Sequence, residues 1–532
     1  MVAVQIYDTT LRDGAQREGI SFSGVDKLHI VQKLDELGIQ YIEGGWPGSN
    51  PKDAEFFSQV RKLSLKNATV VAFGSTRRAR IRAEEDANLQ ALLDTGMQVV
   101  TLVGKNSILQ VTQVLRTTPE ENLKMIEDSI RYLRSKGLTV FFDAEHFFDG
   151  FKADRQYAMK CLEVALNAGA AALVLCDTNG GALPEEITEG VMAAVALSRG
   201  VQIGIHAHND SGLAIANSLA AVRAGATQVQ GTINGYGERC GNANLSVIIP
   251  NLKLKMGIDC ISDEQLRKLT EVSRYVSEVA NLVPDPFMPY VGASAFSHKG
   301  GLHVDAMSKW SESYQHVDPA KVGNQFKVTV SELSGKHNII LKAREMGLEL
   351  SADDKEVKHL LAQVKKLESM GFQYEQAEAS LELLIRRTRP DYQPPFKLVD
   401  FMVVIEKRRR LPSPNNGSED VLSEAMVKVS VGKEIMHCVA EGNGPVNALD
   451  AALRKALLQF YPNLAKVQLV DYKVRILEES VGTGSQVRVL IESTDGVNEW
   501  HTVGSSTNII EASWLALADS LEYWLVKFDR KG

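Results

Sequence analysis

The sequence predicts an α/β protein in three parts: a closed (β/α)8 barrel, a mainly helical middle region, and a C-terminal α+β domain built on a β-β-β-α repeat. Three observations lead there. Over the first ~250 residues short apolar runs alternate with longer amphipathic ones, the pattern of parallel strands joined by helices, and eight such units match a TIM barrel in number and size. The segment Thr388–Pro395, with Pro390, Pro394 and Pro395, then reads as a linker. Beyond it the pattern changes to alternating strands, and Val439-x12-Ala452-Leu453 recurs at a constant offset as Val503-x12-Ala516-Leu517.

Strands are expected at Val2–Asp8, Tyr41–Gly44, Thr69–Phe73, Val99–Val103, Thr139–Phe142, Ala172–Cys176, Gln202–His206 and Gln228–Ile233. Helices are expected between them at Gly24–Leu37, Pro119–Lys136, Arg155–Ala168, Pro184–Ser198 and Ser211–Ala224. Pro119-Glu120-Glu121 suits a helix entry and Gly137 a helix exit. An open doubly wound sheet is the alternative, but its first turn would usually carry G-x-G-x-x-G, which this chain lacks. Residues Asp263 to Arg387 read as mainly helical, with helices at Ala352–Met370 and Glu375–Arg386 and a Gly- and His-rich interruption at Ser294–Asp305. C-terminal strands are expected at Val399–Glu406, Met426–Val431, Asp471–Leu477 and Val487–Ser493, helices at Val446–Leu457 and Ile509–Trp524, and a polar loop at Pro412–Glu419. The resulting boundaries are 1–262, 263–395 and 396–532.

Composition narrows the function classes. An apolar fraction of 44% and a charged fraction of 23% are those of a water-soluble globular chain. A net charge of −7 gives no general reason to expect nucleic acid or an anionic membrane as partner. No run approaches the roughly 18 apolar residues of a membrane span, and Met1–Asp8 does not resemble a secretory leader. The five cysteines are scattered without C-x-x-C spacing, as in a reduced, cytoplasmic protein.

Barrel enzymes work at the C-terminal ends of their strands, so ligand-type residues should gather there. The first unit ends in Asp8-Thr9-Thr10-Leu11-Arg12-Asp13-Gly14-Ala15-Gln16, offering a hard carboxylate in Asp13 and a planar cation in Arg12; a surface ion pair is the plainer reading of those two alone. The seventh ends in His206-Ala207-His208-Asn209-Asp210. Residues i and i+2 of an extended segment share a face, so both imidazoles can meet one metal ion; two hydrogen-bonded histidines are the plainer alternative. The eighth ends in Gly235-Tyr236-Gly237-Glu238-Arg239-Cys240-Gly241-Asn242, where the Asn242 amide oxygen could join the same ion. In a closed ring units one, seven and eight adjoin; in an open sheet they would not. The mixed O/N set allows Zn²⁺, Mn²⁺, Co²⁺ or Mg²⁺. Glu145 after strand five could be a general base or orient one, Thr178 after strand six suits a substrate carboxylate, and Glu43 after strand two could support the ligands.

Asp-Thr-Thr-Leu-Arg-Asp-Gly-Ala-Gln, His-Ala-His-Asn-Asp and Gly-Glu-Arg-Cys-Gly-Asn, in that order and at barrel spacing, resemble the signature of the acyl-CoA-condensing isopropylmalate, homocitrate and citramalate synthase family. Phe296-Ser297-His298-Lys299-Gly300-Gly301-Leu302-His303 looks like that family's linker motif, and the repeat after Leu398 like its effector domain. The resemblance implies Asp13, His206 and His208 as ligands of a divalent metal (Mg²⁺ or Mn²⁺ first, Zn²⁺ also suitable), with Asn242 nearby or ligating. It implies Arg12 and Thr178 as the grip on a 2-oxo acid. Glu145, His303 and Tyr314 would form the acid/base group, with His303 and Tyr314 reaching the partner barrel of a homodimer. The reaction implied is a Claisen-type condensation with acetyl-CoA as co-substrate, regulated by isoleucine first or leucine second. Glu43 to Asp53 is similar to the citramalate branch, which implies pyruvate; Asp143 is an acid where many relatives are smaller or apolar, and it leaves the size of the 2-oxo acid open. The isopropylmalate and homocitrate activities, a C–C lyase of the same barrel type and a silent amino-acid-binding regulator are the alternatives.

Overall fold

The structure, a computed structural model, describes residues 3–331, 334–348, 350, 355–407, 421–477 and 484–529. The expected strand start at Val2, residues 352–354 of an expected helix and the expected loop Pro412–Glu419 lie outside the described residues. Contacts divide the chain into two units, Met1–Phe296 with Gln315–Phe326, and Ser297–Tyr314 with Lys327–Gly532.

The first unit is the barrel. Strands β1 (Gln5–Asp8), β2 (Tyr41–Gly45), β3 (Thr69–Ser75), β4 (Val99–Lys105), β5 (Thr139–Glu145), β6 (Ala172–Asp177), β7 (Gln202–Ala207) and β8 (Gln228–Gly231) pair in sequence order, and β1 pairs in parallel with both β2 and β8 to close the ring. The open-sheet alternative is thereby excluded. Helices follow local chemistry. Gly24–Leu37 opens with a Ser23/Asp26 capping box and ends at Gly38 with φ 88; Pro119–Ser135 starts with Thr118 capping Glu121 N–H and proline in its first turn. Both outlines follow the sequence reading.

The bore is layered by the two-residue period of the strands. At its base Gln202 Nε2 donates to Gln5 Oε1 and Gln228 Nε2 donates to Gln202 Oε1, at 2.8 and 3.1 Å. Above lies an apolar plug of Tyr7, Val71, Val99, Phe141 and Ala172, with Tyr41 against it. The next layer is polar: the Tyr7 hydroxyl lies 2.5 Å from Glu43 Oε2 and 2.7 Å from Thr101 Oγ1. The alternate, outward-facing side chains, such as Ile6, Ile42, Val100 and Leu173, join the helix-facing core.

In the second unit β9 (Ser297–His298) pairs with β10 (Lys327–Val328), and helices run Gly301–Lys309, Lys336–Glu345, Lys355–Ser369 and Glu378–Arg387. The helix Gly301–Lys309 begins inside the passage expected to interrupt helical structure. After it come two antiparallel three-stranded sheets, β11 (Lys397–Lys407), β12 (Val421–Val431), β13 (Glu434–Gly442), and β14 (Gln468–Ile476), β15 (Val487–Thr494), β16 (Glu499–Ser506). The helices Pro445–Leu457 and Ile509–Lys527 complete two β-β-β-α units around one core that includes Leu453, Leu457, Trp500, Trp514 and Leu517. Strands β13 and β16 were not foreseen because their runs, Glu-Ile-Met-His-Cys-Val-Ala-Glu-Gly and Glu-Trp-His-Thr-Val-Gly-Ser-Ser, carry weak apolar alternation. No helix among the described residues is long and apolar enough to cross a membrane.

The repeated Ala-Leu pairs sit where each helix meets its sheet, and all four side chains are buried. Leu453→Ala and Leu517→Ala should each destabilise the second unit by about 2–5 kcal/mol, read as an earlier urea transition in tryptophan fluorescence.

Candidate active site

Alternation along the strands carries polar side chains to the mouth above the plug. On β5 the sequence Phe141, Asp143, Glu145 steps upward on one face, and on β4 Thr101, Val103, Lys105 does the same. From these strands Val103, Lys105, Asp143 and Glu145, with Arg12, Asp13, Phe73, Thr178, His206, His208 and others, line one cavity of about 520 Å³.

Asp13, His206 and His208 converge: one ligand atom from each lies within 4.8 Å of the others. His206 Nε2 stands 3.2 Å from Asp13 Oδ2 and 3.3 Å from His208 Nε2. Gln230 directs its amide nitrogen to Asp143 Oδ1 at 3.3 Å and its oxygen to His206 Nδ1 at 2.8 Å. That assignment puts a proton on His206 Nδ1 and turns Nε2 toward Asp13 and His208; burial alone would lower the pKa of the ring, but the Asp13 carboxylate raises it above its ordinary value. Burial, then the charge of His206, pushes His208 down to about 3, so it presents a neutral ring. Burial alone would raise Asp13, but Arg12 and then His206 hold its carboxyl well below the usual range. Asp13 Oδ2 and both amide atoms of Asn242 are buried without a hydrogen-bond partner. A neutral His208 ring, a His206 Nε2 whose proton a cation would displace, an ionised oxygen and orphaned polar atoms together fit a divalent cation.

Asn242 is held beside this cluster by the backbone, through an antiparallel bridge to His208. Gly237, at φ +157, makes room: a Cβ there would stand 2.8 Å from Asn242 Nδ2.

Arg12 is clamped between two acids, paired with Asp13 and lying 2.5 Å from Glu43 Oε1, while its guanidinium sits 4.0 Å from the Phe73 ring centroid. Trp46 packs edge-on against Phe73. Thr178 Oγ1 accepts the His146 N–H at 2.8 Å, which leaves the threonine hydroxyl proton available to the cavity. Glu145 pairs with Lys105 at 2.5 Å. Burial, then the charge of Glu43, lifts Asp143 to about 7. His303 and Tyr314 belong to the second unit, where their rings stack at 4.2 Å between centroids.

Sequence reasoning missed Lys105, Gln230, Phe73 and Tyr7. Lys105 and Glu145 lie beyond the apolar runs that marked strands four and five, whose ladder continues to the Lys105–Glu145 register pair. Gln230 sits inside β8; its inward period with Gln228 was the available signal.

The cluster yields a direct prediction. Gln230→Leu removes the acceptor that sets the His206 tautomer and should weaken Mn²⁺ or Zn²⁺ binding by ~10- to 100-fold in calorimetric titration, with the far-UV dichroism spectrum unchanged.

Three family models match along the chain: HMGL-like over residues 3–276, homocitrate synthase post-HMGL domain-like over 290–371, and the LeuA allosteric (dimerisation) domain over 375–525. Among curated relatives, the (R)-citramalate synthase of Aquifex aeolicus is 52% identical, covering 99% of this chain and 99% of its own. That of Geobacter sulfurreducens is also 52% identical, with 99% and 98% covered. A 2-isopropylmalate synthase of Pyrococcus furiosus is 30% identical over 97% of this chain and 98% of its own. At these identities over almost the full length, the chain belongs to the (R)-citramalate synthase family, acyl-CoA-dependent transferases built on an HMGL-like barrel.

Proposed function

We propose that this enzyme condenses acetyl-CoA with pyruvate and hydrolyses the thioester, releasing (R)-citramalate and coenzyme A. The observation that carries the reading is the 52% identity, from end to end, to synthases of that name. The keto-acid pocket supports it. Asp143 is buried at the cavity wall, where an isopropyl group would have to pack against a carboxyl, whereas a methyl group has little apolar surface to place there.

In this reading Asp13, His206 and His208, with Asn242 beside them, hold a divalent cation, Mg²⁺ or Mn²⁺ first and Zn²⁺ next. Once bound, it supplies a Lewis acid for the keto and carboxylate oxygens of the 2-oxo acid. Arg12, kept rigid by Glu43 and Phe73, orients that carboxylate and offers N–H groups to the keto oxygen as charge develops on it. Thr178 donates its hydroxyl to the carboxylate. Glu145 and His303 remove a methyl proton from acetyl-CoA, and Tyr314, stacked on His303, completes the acid/base group.

We assign residues 1–262 to catalysis, 263–395 to the linker and 396–532 to regulation. The LeuA-type match supports a homodimer and allosteric control. In this reading the second copy supplies His303 and Tyr314, the effector is an amino acid, isoleucine first and leucine second, and the enzyme is a cytoplasmic one of the isoleucine route.

The test is free-thiol release from acetyl-CoA with pyruvate, 2-oxoisovalerate and 2-oxoglutarate. Pyruvate should give the highest kcat/KM; preference for 2-oxoisovalerate would move the assignment to isopropylmalate synthesis. Asp13→Ala should abolish turnover with the fold retained. His303→Ala should keep pyruvate binding while kcat falls ~100-fold or more. Isoleucine should inhibit the intact enzyme at concentrations where valine does not.

A further inference from the structure

Most guanidinium groups that line the barrel mouth already face carboxylates. Arg12 lies between Asp13 and Glu43, Arg77 between Glu121 and Asp128, and Arg239 against Asp210. Lys105 differs. It ends β4 in register with Glu145, the end of β5, and its Nζ is 2.5 Å from Glu145 Oε2. The two side chains are only 19% and 25% exposed and line the same cavity as Asp13, His206 and Thr178. Both backbones are pinned: Asn122 Nδ2 donates to Lys105 O and the Asn106 N–H donates to Glu145 O, each at 2.9 Å. Strand register therefore fixes an ammonium group beside the acid/base carboxylate. Of its three N–H bonds, one faces Glu145 and the others are available to a ligand in the cavity.

We propose that Lys105 is a further catalytic residue, which hydrogen-bonds the thioester oxygen of acetyl-CoA and stabilises the enolate. The inference rests on the condensation proposed above. As the base takes a methyl proton, the C–H electron pair becomes a C=C bond and the carbonyl π pair moves onto oxygen. The ammonium group donates a hydrogen bond to that oxygen and keeps its own proton. When the enolate carbon bonds to C2 of the 2-oxo acid, the thioester C=O re-forms and the keto π pair moves to the keto oxygen, which takes up the proton that the base removed. A fixed donor aimed at the oxygen that gains charge favours the enolate over the ground-state thioester.

The test compares wild type and Lys105→Met, full-length and Mn²⁺-loaded, and uses S-carboxymethyl-CoA as a stable anion in place of the enolate. The variant should lose ~100- to 1,000-fold in kcat, as for removal of an oxyanion donor, and bind S-carboxymethyl-CoA ~10-fold or more weakly, with KM for acetyl-CoA and pyruvate within ~3-fold of wild type. Lys105→Arg should recover part of the lost rate. A kcat within ~3-fold of wild type, or equal weakening of acetyl-CoA and S-carboxymethyl-CoA, would overturn the proposal. If the methionine variant does not fold by circular dichroism, Lys105→Gln decides by the same ratio of affinities. A wild-type enzyme that releases no thiol with any 2-oxo acid would overturn the condensation reading itself, an outcome distinct from an active wild type beside an unimpaired variant.

Discussion

The hydrogen bonds that join Gln5–Asp8 to Gln228–Gly231 do more than complete a ladder. They bring the end of the first strand beside the ends of the seventh and eighth, and with them Asp13 beside His206, His208 and the Asn242 backbone. Residues separated by most of the barrel in sequence meet because the ring has no edge. The same pairing continues past the strand: Thr9 N–H donates to Gly231 O, and Thr10 Oγ1 accepts the Ile233 N–H, so the Asp13 turn is fastened to the turn that follows β8.

Closure also concentrates charge. Glu43, Arg12, Asp13 and Asp143 are all buried or nearly so, and a buried charge without a partner is strongly destabilising. Their arrangement answers that cost by alternation: acid, cation, acid along Glu43, Arg12 and Asp13, with Tyr7 and Thr101 hydrogen-bonded beneath Glu43. Arg12 is consequently held from three sides by Asp13, Glu43 and Phe73, the preorganisation that the role proposed for it needs.

The barrel was legible because strand and helix periods differ so plainly in the first part of the chain, and because Pro119-Glu120-Glu121 and Gly137 punctuate one of its helices. The ends of Asp13, His206 and His208 were legible for a different reason: polar ligand types stand directly after apolar strands. What escaped was structure whose signal is spread thinly. The helix Pro51–Val60 follows a run of Gly, Ser, Asn and Pro that reads as a turn, yet Asn50 caps it and proline suits its first turn. The helix expected from Ser211 starts at Ala214, since Ser211 and Gly212 are occupied in a turn that hydrogen-bonds to Gly180 and Asn209. Lys105 and Gln230 escaped because a lone polar residue at a strand end or inside a strand reveals its direction only when its neighbours across the ladder are known.

The aromatic plug formed by Tyr7, Tyr41 and Phe141 has a consequence for traffic. It fills the bore below Asp13, His206 and His208, so at that depth the barrel offers a floor and no passage, and those three side chains are approached from the strand ends that carry them.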